Sequence, residues 1–193
     1  MLYCLSFKHD LSKYPEDAIV IDCTSNSRSD GKWFSPFFLG KMPLYDGYVA
    51  TSIENGYQFA RLFPTYADEN GDPLPAYWEW AQKGWQNPKP IKYPMGAWNK
   101  PLYHIWKGKR LNRLEAQKQI FVPAYVDLVQ KTNAFDKLIH LHKNTTRDII
   151  LLDYEGYDHR FLEMDYDQVI NHPDFPIGQG FVLLMMLEGY LKY

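Results

Sequence analysis

Asp148-Ile149-Ile150-Leu151-Leu152-Asp153 sets four large aliphatic residues between two acids. The run is too short for an ordinary helix, and half of its apolar core is β-branched, so it reads as the clearest strand in the chain. Residues 2–7 and 18–24 are two further short apolar runs with β-branched and aromatic content, and both read as strands. Three such runs predict a small sheet. The rest of the chain must then pack helices around it, which gives an α+β fold with more helix than strand. At 193 residues one domain spanning 1–193 is expected, long enough to bury a substantial core.

Between these runs the punctuation is dense. Residues 24–50 hold Ser, Gly and Pro and read as a loop region, although Trp33, Phe34, Phe37, Phe38 and Leu39 are too apolar for a solvated one. Residues 51–62 read as a helix, with Ile53, Tyr57 and Ala60 on one face and Pro64 soon after. Residues 66–73 form a polar turn. A second helix is expected over 75–85, with Pro75 at its first position. Residues 86–102 carry four of the thirteen prolines and read as an extended surface segment or lid. Residues 111–130 have helical composition, with Pro123 placed to kink or split the helix. Another helix covers about 134–142, residues 154–176 read as loop, and a last helix runs from 178–180 toward Lys192.

The overall charge narrows the function classes. A formal net charge of −2 and a pI near 6.3 give no global case for nucleic-acid binding, leaving only a local basic patch open. Aromatic residues make up 17% of the chain, more than a small core needs, and such a surplus can line a pocket that stacks on a flat ring. Cys4 and Cys23 sit in apolar runs and read as buried, reduced thiols rather than a disulfide framework or zinc site. The six histidines have no metal-ligand spacing, so neither metal nor cofactor is expected. The start lacks a basic segment followed by a long apolar one, and no apolar run approaches a membrane span, so a cytoplasmic protein without a membrane partner is expected.

Several residues invite a chemical reading beside a structural one. Glu54 lies in the first turn of a helix, behind a loop of aromatic and small residues. It can face a cleft, or it can close a capping box with Thr51 as N-cap. Asp153 ends the apolar strand ahead of Tyr154-Glu155-Gly156-Tyr157-Asp158-His159, a place where sites are often built, and also where turn acids sit. Gly178-Gln179-Gly180 before a helix can cradle an anion or pack closely at the helix start. Arg28, Lys32 and Arg61 flank the first motif as phosphate ligands or as solvated charge.

Phe34-Ser35-Pro36-Phe37, then Asp46-Gly47, then Ser52-Ile53-Glu54-Asn55-Gly56-Tyr57-Gln58-Phe59-Ala60-Arg61-Leu62-Phe63 resembles the opening of the NADAR (YbiA-like) family in order and spacing. Glu54 and Gln58 stand in register with it, Asn55 replaces the family His, and Pro36 replaces an Asn. Asp153-Tyr154-Glu155-Gly156-Tyr157-Asp158 and Gly178-Gln179-Gly180 with the following Leu/Met-rich run resemble its C-terminal part, without the basic residue of that glycine element. The pattern also resembles uncharacterised bacteriophage proteins, for which the compartment would be the host cytoplasm.

The resemblance implies a YbiA-like fold and a hydrolase that cleaves N-glycosidic bonds. Its substrates would be phosphorylated ribosylamino-pyrimidines or ADP-ribose on a guanine base, with nucleic acid only as carrier of a modified base. Cleavage builds positive charge on the sugar, which a carboxylate stabilises. In that scheme Glu54 is the charge stabiliser or base, and Asp153 is the second acid. Trp33, Phe37 and Tyr154 stack on base or ribose, Arg28, Lys32 or residues 178–180 hold phosphate, and Ser35, Asn55, Gln58 and Asp158 complete the pocket. Two other readings use the same residues differently. One is a non-catalytic nucleotide or signal binder with an aromatic cleft. The other is a protein–protein inhibitor presenting the Pro- and Trp-rich residues 85–106.

Overall fold

The computed structural model describes residues 1–192. The fold is α+β, built from short strands and mostly short helices. In chain order the strands are β1 Leu2–Leu5, β2 Ile19–Asp22, β3 Met42–Pro43, β4 Val49–Ala50, β5 Arg61–Leu62, β6 Tyr103–Trp106, β7 Lys109–Leu111 and β8 Ile149–Leu152. The α-helices are α1 Ile53–Gln58, α2 Pro75–Trp85, α3 Arg113–Ala116, α4 Val122–Val129, α5 Asn133–Asn144, α6 Tyr166–Asn171 and α7 Gln179–Leu187. Two compact units result, one of Met1–Leu39 with the chain from Tyr125 onward, the other of Gly40–Ala124.

In the first unit the three strands read from sequence do form one sheet. Its order is β1-β8-β2 and both pairings are parallel, with Leu2 beside Ile149 and Ile19 beside the same residue. A central parallel strand is covered on both faces, which is why β8 is apolar at all four positions. Strand alternation splits β1 between two layers. Tyr3 and Leu5 join Ile150 and Leu152 in a cluster closed by Leu11, Tyr14 and Ala18. Cys4 faces the other way, against α7 at Gly180. Residues 181–186 of α7 are all apolar and all buried, so this helix has no solvent face.

Gly156, just past β8, leans on the backbone of Leu5 and Ser6: an added Cβ would stand 2.3 Å from the Leu5 carbonyl carbon. Backbone cannot rotate aside as a side chain can. Gly156→Ala is therefore expected to cost about 1–3 kcal/mol, the range of an overpacked core, measured by urea unfolding.

The second unit pairs β3 with β4 in a hairpin and builds an antiparallel sheet of order β5-β6-β7. Its core holds Ile53, Phe59, Leu62, Tyr77, Ala81, Trp85 and Ile105, all buried. Trp80 is ringed by Phe59 at 4.7 Å, Tyr66 at 5.0 Å and Phe63 at 6.0 Å, so part of the aromatic surplus is packing.

Several expectations change. The helix expected over 51–62 stops at Gln58, because Arg61 and Leu62 pair with His104 and Tyr103 as a strand edge. Residues 24–50 contain the β3–β4 hairpin, and 154–176 contain α6, started by a capping box between Asp165 and Gln168. The last helix ends at Leu187, followed by Gly189 at φ +77°, a left-handed position suited to glycine. Over 111–130 the helix runs on from Arg113 to Val129 without a split; ahead of Pro123 it widens into a π-helical turn, Gln117–Phe121, with the Val122 N–H reaching back five residues to the Gln117 carbonyl. Helix α2 begins at Pro75 and covers 75–85 as read. No helix among the described residues is long and apolar enough to cross a membrane.

Candidate functional site

Glu54 belongs to the second unit. The N-cap of α1 is Ser52, not Thr51: its backbone is extended and its Oγ accepts from the Asn55 N–H at 3.1 Å. Thr51 is used elsewhere, its N–H donating to the Trp85 carbonyl and its hydroxyl to the Asn87 carbonyl. The third helical position is thus Asn55, and the expected capping box with Glu54 does not form. Glu54 is 8% exposed and accepts a hydrogen bond from Gln58 Nε2 at 2.9 Å, one turn on. Gln58 Oε1 is buried without a hydrogen-bond partner among the described residues.

Asn55 acts as a fastener. Its amide nitrogen donates to the carbonyls of Asn87 at 2.9 Å and Lys89 at 3.1 Å, and its oxygen accepts from the Ile91 N–H at 2.9 Å. One side chain thereby holds the start of the Pro-rich segment against α1.

Beside α1 lies a group that the sequence reading passed over. His104 on β6 is 2% exposed, and its ring nitrogens form no well-aligned hydrogen bond among the described residues, the backbone of Leu111 across the β6–β7 ladder being the polar group beside them. Arg61, directly across the β5–β6 ladder, has its Nε buried in the same state. Tyr57 lies between them, 5.0 Å from the imidazole and 5.3 Å beneath the guanidinium. Burial, with the Arg61 charge adding to it, pushes the His104 pKa down to about 3. The alternation in Tyr103-His104-Ile105-Trp106 ahead of Lys107-Gly108 was the available sign of this hairpin.

The other candidates belong to the first unit. Asp153 is 2% exposed and leaves the carboxyl end of β8. One carboxylate oxygen accepts from the Tyr154 N–H and the other from the Gly180 N–H in α7, both at 2.7 Å. The N–H of Gly180 that could have met an anion is thus given to the chain's own carboxylate, at the positive end of the helix dipole. Gly178 and Gly180 are small for the same reason, since an added Cβ would stand 2.4 Å and 3.2 Å from Asp153 Oδ2. Gln179 donates to the Cys23 carbonyl at 3.2 Å. Asp153→Ala strands two backbone donors, and a loss of about 1–3 kcal/mol is expected in thermal or denaturant unfolding.

Tyr154 stands half-exposed at this sheet edge, its hydroxyl accepting from Asn26 at 2.7 Å and its ring 5.5 Å from Phe7. Asp158 closes a turn: it accepts from the Arg160 and Phe161 N–H groups and from the Tyr14 hydroxyl at 2.7 Å. Burial raises its pKa, but those hydrogen bonds outweigh it and the net shift is downward. Trp33 is exposed with Lys32 4.9 Å over its ring, and Phe38 is 6.0 Å from Trp33 and 6.3 Å from Phe37. Ser35 is buried, its Oγ accepting from the Phe37 N–H, while Arg28 is exposed.

Structure thus brings Glu54 and Gln58 together in one unit, and Asp153, Gly178, Gly180 and Tyr154 together in the other. Trp33, Phe37 and Lys32 form a separate aromatic and cationic group within that second set's unit. Both cysteines are buried free thiols, and the described residues contain no His, Cys, Asp or Glu cluster able to hold a metal ion. Comparison with known protein families, curated proteins and solved structures finds no match to this chain.

Proposed function

We propose that the chain is an N-glycosidase-like hydrolase acting on the bond between a ribose and a base in a phosphorylated or ADP-ribosyl nucleotide, with Glu54 as the carboxylate that faces the developing positive charge. The observation that carries this reading is the state of Glu54. It is buried, Ser52 rather than Glu54 caps the helix, and it accepts a hydrogen bond from Gln58. A carboxylate kept in low-dielectric surroundings interacts strongly with charge that forms on a sugar ring. The NADAR-like order of residues 34–63 supports the same assignment. Two buried free thiols support a reducing compartment such as the cytoplasm for this hydrolase.

Asp153 favours a second reading, a nucleotide binder without turnover, because both of its oxygens already accept backbone N–H groups. The two readings separate on one measurement. The protein is incubated with phosphorylated ribosylamino-pyrimidines and with ADP-ribosyl guanine nucleotides, then protein and supernatant are analysed by mass spectrometry. Free base with a sugar phosphate is the expected product pair. Intact ligand released only on heating would establish the binder instead.

A further inference from the structure

The chain's charge is unevenly spread. Residues 40–124 carry eleven Lys and Arg against seven Asp and Glu, a formal +4 inside a protein of net −2. Eight of those cations fall within residues 80–114, where there is no acid at all. The same stretch is rich in flat rings. Trp98 is 97% exposed and Tyr93 50% exposed, both far beyond what packing requires.

The backbone presenting them is shaped. Asn55 fixes residues 87–91 as described above. Gly96 closes one turn by donating to the Tyr93 carbonyl and opens the next by accepting from the Asn99 N–H, which puts Trp98 in a defined turn. Lys107 and Gly108, both at positive φ, form the tight end of the β6–β7 hairpin. Tyr45 packs edge-on against both Trp85, just ahead of the Pro-rich segment, and Trp106, just ahead of the hairpin turn, so one ring ties the two stretches together. Lys89, Lys100, Lys107 and Lys109 are exposed and form no ion pair among the described residues. Arg110 is different, since it is tied to Asp72 and lies 4.9 Å over Tyr103. Asp46, next to Tyr45, adds an opposing charge near this ring.

We propose that residues 89–109 form a binding surface for single-stranded nucleic acid, with Trp98 and Tyr93 as stacking platforms and Lys89, Lys100, Lys107 and Lys109 as phosphate contacts. Exposed rings flanked by unpaired cations offer both the stacking faces and the phosphate contacts that an unpaired strand needs. Paired bases in a duplex hide their faces, so exposed rings favour an unpaired strand. A lipid surface fits less well. Leu102 is the one large aliphatic side chain exposed in this segment among the described residues, whereas membrane-surface elements bury a continuous apolar face. The inference does not depend on Glu54 or on glycosidase activity.

The test is fluorescence anisotropy of a labelled oligothymidylate with the full chain, set against the same strand in duplex, phosphatidylserine-containing vesicles and polyglutamate. Binding to the single strand should weaken with salt at a log–log slope of about −3, the value for four phosphate contacts. Trp98→Ala should weaken it by about 5- to 150-fold, the range for loss of one stacked base. Lys107→Glu with Lys109→Glu should weaken it by more than about 10-fold and flatten the salt slope. These side chains are exposed, so circular dichroism and Tm should stay at wild-type values. No binding to the strand overturns the proposal. So does preferred binding to vesicles or duplex, or equal binding to polyglutamate that Trp98→Ala does not change.

Discussion

Glu54→Gln should reduce turnover by at least about 100-fold while leaving Tm close to wild type. A glutamine at 54 keeps a carbonyl oxygen for Gln58 Nε2, and Ser52 still caps the helix. The chemistry loses the full negative charge, and removing one preorganised electrostatic partner of a transition state typically costs about 10²–10³ in rate. Ser52→Ala is the matching control. It removes the cap that holds the Asn55 N–H and should lower stability by about 0.5–2 kcal/mol with the rate per folded molecule unchanged. If Glu54→Gln retains full activity, or acts mainly on Tm, the carboxylate is structural and the hydrolase reading fails. The assay is product release under single-turnover conditions, read beside a thermal scan on the same preparation.

The second large effect is a sensitivity to acid seated at His104. In the unfolded chain this imidazole takes a proton below about pH 6.5, whereas in the folded protein it stays neutral until about pH 3. A group whose folded pKa is depressed in this way favours unfolding whenever the unfolded chain is protonated and the folded one is not. Stability from this residue is therefore complete above about pH 6.5 and falls continuously as pH drops toward 3. The loss is about 2 kcal/mol by pH 5 and about 4 kcal/mol by pH 3.5. His104→Phe keeps a ring against Tyr57 and removes the proton site. It should flatten this limb of the pH–stability curve while remaining folded at pH 7. Urea unfolding of both proteins from pH 7 to pH 3.5 reads the difference directly, and parallel curves would place the acid sensitivity elsewhere.

Local pattern revealed the elements whose partners are nearby or whose burial is complete. The apolar run of β8 needed only its own four side chains to be read, and Pro75 marked its helix boundary through geometry that proline carries everywhere. What escaped was set by distant neighbours. Thr51 and Ser52 are equally good caps in isolation, and the choice between them follows from the Asn87 and Trp85 carbonyls, more than thirty residues on. Asp153 and Gly180 each looked like part of a ligand site until they were found to satisfy one another. The β6–β7 hairpin was hidden because Lys107-Gly108 is a weaker turn mark than Asn-Gly or Asp-Gly. The Asp165-x-x-Gln168 start of α6 was legible and was passed over amid the surrounding loop residues.

The wide turn at Gln117–Phe121 holds one residue more than an α-helical turn would between the same two bonded groups. That surplus makes the stretch a point of slack. Once Pro123→Ala removes the ring that clashes at α-helical spacing, deleting Lys118 or Gln119, both on the outside, lets the same N–H and carbonyl meet across four residues. Helix interiors ordinarily reject a shortening of the chain, because every later side chain is swung to a new direction. Here, with the proline replaced, a codon could be lost and the two bonded groups would still meet.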